Sequence, residues 1–305
     1  MHEGSRKAII AAVIANGGIA VAKFVGFAVT GAASMMAEAI HSVADTSNQG
    51  LLLFGGKRSR RRATAQHQFG YGRERYFWAF VVAVVLFTLG SIFALYEGIE
   101  KLRHPHEIES PEWAIGILVV AIGLESFSLR TAVRESRTAK GQGSWWGFIR
   151  HSRNPELPVV LLEDIGALFG LVFALTGVLL AMATNEPRYD AMGSVAIGLL
   201  LGVIAIVLAI EMKSLIIGES ATTRDERAIR EAIEGSPRVV RIIHMRTEHV
   251  GPDELLVAAK VEFDAATSMA ELVAAINATE AAIRDRLPIA RLIYLEPDLY
   301  QASTS

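Results

Sequence analysis

Long apolar runs separated by shorter polar stretches dominate the sequence before Gly218. A helix that crosses a membrane needs about 20 mostly apolar residues. Five runs reach or approach that length: Ala8–Thr30, Trp78–Ile99, Trp113–Leu129, Pro158–Thr184 and Ala191–Ile210. Polar and glycine residues interrupt the first run at positions 16–18, which is atypical of a cleaved signal peptide. We therefore predict that all five runs are membrane-spanning helices.

The segment Ala32–Phe54 is too polar to be recognised by hydropathy, yet its polar residues follow a pattern. They recur at steps of three or four positions: Ser34, Glu38, His41, Asp45, Asn48 and Gln49. Such spacing puts them on one stripe of a helix. Helices that lie on a membrane surface usually carry Lys and Arg on the polar face, whereas this stripe carries acids, His and amides. We predict a sixth spanning helix whose stripe faces into a bundle.

Basic residues are concentrated in two connecting segments. The segment between Phe54 and Trp78 contains seven Lys and Arg residues, and the segment between Leu129 and Pro158 contains six. Cytoplasmic loops carry an excess of these residues. We therefore expect both segments and both termini to lie in the cytoplasm, in agreement with an even number of spans.

The sequence changes character at about Gly218. Matches to the helix capping box at Thr223–Glu226 and Ser268–Glu271 predict two helix starts. Alternating or strand-like patterns predict three strands: Arg238–His249, Glu254–Asp264 and Arg291–Leu295. The order α-β-β-α-β is typical of a small α+β domain with its helices on one face of the sheet.

Together these elements predict a membrane α-helical protein, in which a six-helix transmembrane bundle is followed by a small cytoplasmic α+β domain. We place the transmembrane domain at residues 1–217, the C-terminal α+β domain at residues 218–300 and a tail at residues 301–305. A three-stranded sheet domain of about 80 residues has a small core and open edges. We therefore expect the C-terminal domain to dimerise.

The composition limits the chemistry. Hydrophobic residues make up 51% of the 305 residues and charged residues 20%, which is too apolar for a typical soluble enzyme of this length. The formal net charge of −2 gives no basic footprint, so we expect no nucleic-acid partner. The absence of Cys excludes disulfides, thiolate metal sites and cysteine nucleophiles. A bound metal would need imidazole and oxygen ligands.

Ionisable residues inside two predicted spans are the candidate functional groups. His41 and Asp45 are four positions apart, so on a helix they share a face and can reach one divalent ion. Glu163 and Asp164 interrupt the fifth span, where a charge is costly and marks an ion pathway or a pairing. Adjacent helical residues point about 100° apart. We therefore do not expect Glu163 and Asp164 to serve one metal together easily.

Three further ionisable residues leave alternatives open. Lys23 either pairs with one of the acids or extends its amine to the membrane surface. Glu38 lies on the His41 stripe and Glu125 lies late in the fourth span. Either carboxylate could relay protons or simply line a wet vestibule.

Several strings resemble motifs of the cation diffusion facilitator family: HSVADTSNQ at 41–49, FGYGRERYFW at 69–78 and DAMGS at 190–194. The resemblance covers nearly the whole chain. The string LED at 162–164 resembles the branch that includes a mitochondrial zinc exporter and its bacterial relatives. The resemblance implies a dimeric antiporter that moves divalent transition metals, mostly Zn²⁺, out of the cytoplasm in exchange for protons.

The resemblance also implies a transport site made of an HxxxD or DxxxD pair on the second span and another on the fifth. His41 and Asp45 match the first pair, and Asp164 matches the last residue of the second pair. The position four before Asp164 is Val160, which cannot bind a metal. Glu163, water or a neighbouring polar side chain would have to complete the site. The predicted metal residues are thus His41, Asp45 and Asp164, with Glu163 as a candidate for the missing ligand.

Two accessory metal sites of the family look incomplete. In the loop after the second span, the matching positions hold Thr64, His67 and Tyr71. In the tail, the positions where zinc-binding members have His hold Ile243, Lys260 and Tyr294, with Glu296 nearby. We expect no metal at the lone His67. We interpret His244 and His249 as surface residues of a strand, because structural zinc needs four converging ligands.

The predicted function is export of Zn²⁺ by a proton antiporter, with alternating access at the His/Asp site between the second and fifth spans. The alternatives are the same transporter with Mn²⁺, Fe²⁺ or Co²⁺ as main substrate, since carboxylates favour harder ions, or a membrane metal sensor without coupled flux. No HExxH-type motif occurs, so an enzyme is not predicted. The metal is cargo, and no cofactor is expected. The expected partners are protons, the lipid bilayer of a bacterial plasma membrane and a second copy of the chain.

Overall fold

The computed structural model describes residues 3–106, 108 and 110–300 of the chain. Its contacts divide the chain into two units. The helical unit comprises the chain up to Lys57 together with Phe77–Lys213, and the sheet unit comprises Arg58–Tyr76 together with the chain from Ser214 onward. The basic segment Arg58–Tyr76 therefore belongs to the same unit as the C-terminal sheet.

Long helices that extend beyond the predicted apolar runs make up the helical unit. Their bounds are α1 Glu3–Thr30, α2 Ala33–Ser59, α3 Glu74–Val85, a π-helical segment Leu86–Ile92, α4 Phe93–Arg103, α5 Pro111–Lys140, α6 Trp145–His151, α7 Glu156–Thr184 and α8 Arg188–Ile217. The π-helical segment joins α3 to α4 in one continuous stretch, Glu74–Arg103.

Most of these helices are apolar enough to cross a membrane. Within the described residues, four stretches have sufficient length and apolarity: Glu74–Arg103, Pro111–Thr138, Glu156–Thr184 and Arg188–Ile217. The part of α1 whose side chains are described adds a shorter apolar stretch, Gly17–Thr30. Helix α2 is more polar, yet Ser34, Glu38 and His41 of its stripe are fully buried. The predicted helical bundle with a buried polar stripe is confirmed.

Asp190, in the first turn of α8, joins three helix ends. Its carboxylate is fully buried and accepts hydrogen bonds from the backbone N–H groups of Ala33 at 2.7 Å and Ser34 at 3.3 Å. The N–H groups of a first helical turn lack intrahelical partners and form the positive end of the helix dipole, so a carboxylate is stabilising there. The Lys101 ammonium, at the end of α4, lies 3.3 Å from the same carboxylate. This junction fixes where α2 begins and hence the direction in which its stripe points.

The sheet unit has the predicted α-β-β-α-β order. Its elements are α9 Thr223–Glu234, β1 Val239–Gly251, β2 Glu254–Phe263, α10 Met269–Arg286 and β3 Ala290–Pro297. The central strand β2 is antiparallel to β1 and parallel to β3. A parallel pair needs a crossover connection, and α10 supplies it.

One face of this sheet carries the core. Alternate residues of β2 are buried: Leu255, Val257, Ala259, Val261 and Phe263. They pack with Ile229 and Ile233 of α9 and with Ile283 of α10. The period of two along β2 therefore puts its apolar residues under the two helices.

Local capping sets the helix starts of the sheet unit. The Ser268 hydroxyl accepts from the backbone N–H of Glu271, and the Glu271 carboxylate accepts from the backbone N–H of Ser268 at 2.9 Å. This reciprocal pair is the predicted capping box. At α9 the capping residue is Thr222, whose hydroxyl accepts from the backbone N–H of Asp225 at 3.2 Å. The prediction of Thr223 as the cap is therefore wrong by one position.

The loop between α2 and α3 packs against the turn between β1 and β2. A Cβ atom at Gly72 would lie 2.7 Å from the carbonyl oxygen of Val250, so the two backbones approach too closely for a side chain. Two ion pairs flank this contact: Arg73 with Glu248, and Arg75 with Asp253. Shape and charge therefore both hold this loop on the sheet.

Candidate metal site

An open cavity lies among α2, α5 and α7 of the helical unit. Four carboxylate side chains line it: Asp45 of α2, Glu125 of α5, and Glu163 and Asp164 of α7. The hydroxyl groups of Ser42 and Ser128 and the apolar side chain of Val160 line it as well. Acidic groups grouped in otherwise apolar helices mark a candidate cation site.

Helix α2 contributes the predicted pair, but its two members differ in position. Asp45 lines the cavity, whereas His41 does not. The His41 Nε2 atom lies 3.4 Å from Asp45 Oδ2, as the spacing of four positions predicts. His41 is fully buried, and neither of its ring nitrogens has a hydrogen-bond partner among the described residues. The His41 imidazole therefore lies next to the Asp45 carboxylate, which lines the cavity.

Helix α7 contributes two carboxylates. Glu163 is buried, and its Oε1 atom accepts a hydrogen bond of 2.6 Å from the Asn48 amide of α2. Asp164 accepts a hydrogen bond of 3.0 Å from the Ser128 hydroxyl of α5. Although adjacent helical positions diverge, both carboxylates line the same cavity. Lining one cavity does not bring both carboxylates onto one ion, so the expectation that they do not easily serve one metal together stays a prediction.

Helix α5 contributes a carboxylate that the sequence did not assign to the metal site. Glu125 lines the cavity one turn before Ser128. Within the described part of the chain it forms no hydrogen bond and no ion pair. The available signal was the spacing of Glu125 and Ser128 within an apolar run, which places both on one helix face.

These carboxylates do not yet converge on one point. Among the described residues, no three His, Asp or Glu side chains form a group that could hold a metal ion as they stand. Asp45 lies beside His41, and Glu163 and Asp164 accept hydrogen bonds from Asn48 and Ser128.

A buried ion pair lies close to this cavity. The Lys23 ammonium of α1 donates to Glu38 at 3.0 Å and to the Ser42 hydroxyl at 2.8 Å. Both charged side chains are at most 1% exposed. Of the two alternatives for Lys23, pairing with an acid is therefore the one observed. Glu38 does not line the cavity, although Ser42 does.

The positions that match the two accessory metal sites form other interactions in this chain. In the loop, the Thr64 hydroxyl and the Tyr71 hydroxyl are 3.3 Å apart, and the rings of His67 and Tyr71 pack edge to face. On the sheet, the Lys260 ammonium pairs with Glu296 and Asp298 at 2.9 Å each. These hydrogen bonds raise the pKa of Lys260 and lower the pKa of Asp298.

The two strand histidines have different environments. His244 is exposed, as predicted, whereas His249 is only 1% exposed, so its prediction as a surface residue is wrong. A register shift between His249 and Gly251 interrupts the alternation of β1, and three consecutive residues are buried at its end. An irregularity of this kind turns a side chain towards the face opposite to that expected from the pattern.

Similarity to known proteins covers most of the chain. A sequence profile described as the cation efflux transmembrane domain matches residues 9–217. The proton-coupled zinc antiporter SLC30A9 of Homo sapiens, a mitochondrial protein, is 34% identical over 264 residues, which are 86% of this chain and 46% of that protein. Metal tolerance protein C4 of Arabidopsis thaliana is 30% identical over 75% of this chain and 51% of that protein. The chain thus spans about half the length of these relatives.

A bacterial relative is more distant and more fully covered. The zinc transporter ZitB of Escherichia coli is 23% identical over 248 residues, which are 80% of this chain and 68% of that protein.

Proposed function

This chain belongs to the cation efflux, or cation diffusion facilitator, family, and we propose that it carries Zn²⁺ out of the cytoplasm in exchange for protons. Members of this family are transporters rather than enzymes, and their metal is a transported substrate rather than a cofactor. The chain is an integral membrane protein.

The observation that supports this proposal is a cavity lined by residues of both α2 and α7. Asp45, Glu163 and Asp164 face one space within helices that are otherwise apolar. Ionised carboxylates in such a position are costly unless a cation neutralises them. Zinc is the metal in the names of two of these relatives, the antiporter SLC30A9 and the transporter ZitB, which supports Zn²⁺ as that cation. We assign His41, Asp45 and Asp164 as ligands, with Glu163 beside them.

Proton coupling follows from competition for the same lone pairs. Zn²⁺ binds when Asp45 and Asp164 are ionised and His41 is neutral, because a protonated ligand has no lone pair to donate. Protons that arrive on the other side of the membrane displace the metal. Neutral imidazole offers a lone pair to the metal whereas imidazolium does not, which suits His41 to this exchange.

Alternating access moves this site between the two sides of the membrane. The excess of basic residues in the loops after α2 and after α5 supports a cytoplasmic location for these loops and for both termini. We place the protein in a bacterial plasma membrane. Zn²⁺ then enters the cavity from the cytoplasm, and protons enter from outside.

We further propose that the chain acts as a homodimer. Residues 1–217 form the transport domain and residues 218–300 form a dimerisation domain. The predicted tail at residues 301–305 lies outside the described part of the chain. The sheet unit has three strands with an open edge at β1 and another at β3. A small core and open edges favour association with a second copy.

The four carboxylates that line the cavity are also compatible with a second class of substrate ion. Carboxylates favour harder ions such as Mn²⁺, Fe²⁺ or Co²⁺ more than imidazole does. Transport of Zn²⁺ in competition with each of these ions, in the wild type beside Glu163→Ala, identifies the preferred ion and tests the participation of Glu163. A membrane sensor would bind the metal without coupled flux.

Flux measurements in liposomes test the proposal. Purified wild-type protein should move protons only when Zn²⁺ is added, and Asp45→Asn and Asp164→Asn should each abolish that movement. Glu135→Gln is a matched control, because Glu135 is an exposed acid on α5 and does not line the cavity. Full flux in both aspartate variants would overturn the site, and binding without any flux would favour the sensor.

A further inference from the structure

We propose that Glu125 of α5 is the ligand that compensates for Val160, so that the transported ion is held by three helices rather than two. This inference rests on the proposed function and adds a residue to its site. Val160 of α7 lines the same cavity as Asp45 and Asp164, but its side chain cannot bind a metal. A further ligand must therefore come from another residue.

Val160 has a different role in this chain. It packs against an apolar cluster in which Ala132 of α5 meets Leu161 of α7, together with Leu129 and Val133 of α5. The residue at this position therefore attaches α5 to α7. An apolar side chain here brings α5, and with it Glu125, close to the carboxylates of α7.

A polar contact fixes the same two helices at the level of the cavity. The Ser128 hydroxyl donates to Asp164 Oδ2 at 3.0 Å. Ser128 lies one turn after Glu125, so both are on the α5 face that looks at Asp164. Glu125 and Asp164 consequently line the same cavity, and Asp45 of α2 lines it as well.

The unsatisfied groups around the cavity point to a cation. Glu125 has no hydrogen bond and no ion pair within the described residues, although it interrupts an apolar run. Asp45 Oδ1 and both ring nitrogens of His41 are buried without a hydrogen-bond partner in that same part of the chain. Buried polar atoms are normally paired, and a divalent ion would pair with the buried Asp45 and His41 atoms. The half-buried Glu125 carboxylate offers a further oxygen ligand in the same cavity. The buried ammonium of Lys23 is already engaged by Glu38 and Ser42.

Direct ligation can be read out because the sequence contains no Cys. We would purify full-length Glu125→Cys and titrate it with Co²⁺, since a thiolate bound to Co²⁺ produces a sulfur-to-metal charge-transfer absorption. Glu135→Cys, on the same helix but outside the cavity, is the matched control, and Asp45→Cys is the reference for the proposed site. We expect the absorption in Glu125→Cys and Asp45→Cys, its loss when Zn²⁺ is added, and none in Glu135→Cys.

The outcomes distinguish the role of Glu125 from the proposed metal site of α2 and α7. An absorption in Asp45→Cys but not in Glu125→Cys would overturn the role of Glu125 and leave the site of α2 and α7 in place. Its absence from both variants would overturn the proposed site itself, and Glu125 with it.

Affinity measurements on a nearly isosteric variant guard against misfolding of the cysteine variants. Glu125→Gln should weaken equilibrium binding of Zn²⁺ by at least about tenfold, whereas Glu135→Gln should leave it unchanged. Introducing Val160→Asp into Glu125→Gln should restore most of the affinity, because it adds a carboxylate at a position of α7 that lines the cavity. Unchanged binding in Glu125→Gln would contradict the proposal.

Discussion

Ser128 of α5 donates a hydrogen bond of 3.0 Å to the Asp164 carboxylate of α7, and this contact lies in the wall of the candidate metal site. It holds one carboxylate oxygen in a fixed direction. It also makes α5 a part of the site, although the two residues are 36 positions apart in the sequence.

Removal of this hydroxyl should weaken metal binding moderately. Ser128→Ala leaves Asp164 in place but takes away the hydrogen bond that orients it. A net loss of about 1 kcal/mol corresponds to about fivefold weaker Zn²⁺ binding. Ser126→Ala is the control, because that hydroxyl donates to the Ile122 carbonyl of its own helix. Equal affinities for the two variants, measured by equilibrium binding, would show that the contact does not orient Asp164.

The Lys23–Glu38 pair should stabilise the helical unit only as a pair. Lys23→Met leaves the Glu38 carboxylate buried without a cation, and breaking a buried pair in this way destabilises a protein by about 3–5 kcal/mol. The double variant Lys23→Met with Glu38→Gln removes both charges and should recover most of that loss. Thermal unfolding of the purified protein in one detergent compares the three forms. A single variant as stable as the wild type would contradict the prediction.

A side chain at position 72 should release the loop from the sheet. In Gly72→Ala the new Cβ would lie 2.7 Å from the Val250 carbonyl oxygen, which is backbone and cannot rotate away. Amide hydrogen exchange in residues 58–76 should therefore become faster than in the wild type. Gly116→Ala is the control, because nothing lies within 4 Å of its new Cβ. Unchanged exchange in Gly72→Ala would mean that the ion pairs alone hold the loop.

The start of α10 should lose protection in acid. Hydrogen bonds from the backbone and side chain of Ser268, followed by the charge of Arg238, lower the pKa of Glu271 from its ordinary value of 4.5. A group whose folded pKa is lowered stabilises the fold above the unfolded value, and this contribution disappears as the pH falls through the folded value. Exchange protection at residues 268–272 should therefore decline below about pH 4.5 in the wild type. In Glu271→Gln the decline should be absent, and an equal decline in both forms would refute the assignment.

Local patterns were sufficient to predict the elements and much of the site. The steps of three and four positions in α2 predicted a buried stripe, because residues of one helix share a face whatever surrounds them. The alternation in β2 predicted its buried face for the same kind of reason. Asp45 was found on that stripe, Glu163 and Asp164 were found as charges within an apolar run, and all three line the cavity.

Contacts between distant helices could not be predicted in this way. Asp190 caps the N-terminus of α2 across a separation of 157 positions from Ala33, and no periodicity encodes such a meeting of helix ends. The placement of Glu125 depends on how α5 packs on α7, which a single sequence does not contain. The position of His41 outside the cavity wall depends on the rotation of α2, and the cap at Thr222 could not be separated from its neighbour Thr223.

Calorimetry of Zn²⁺ binding in two buffers with different ionisation enthalpies tests the central claim most directly, because it reports affinity and proton release together. We predict that wild-type protein and Glu135→Gln bind Zn²⁺ and release protons, and that Asp45→Asn loses both signals. Tight binding by Asp45→Asn, or wild-type binding with no proton released, would contradict the account of metal and protons competing for one set of side chains.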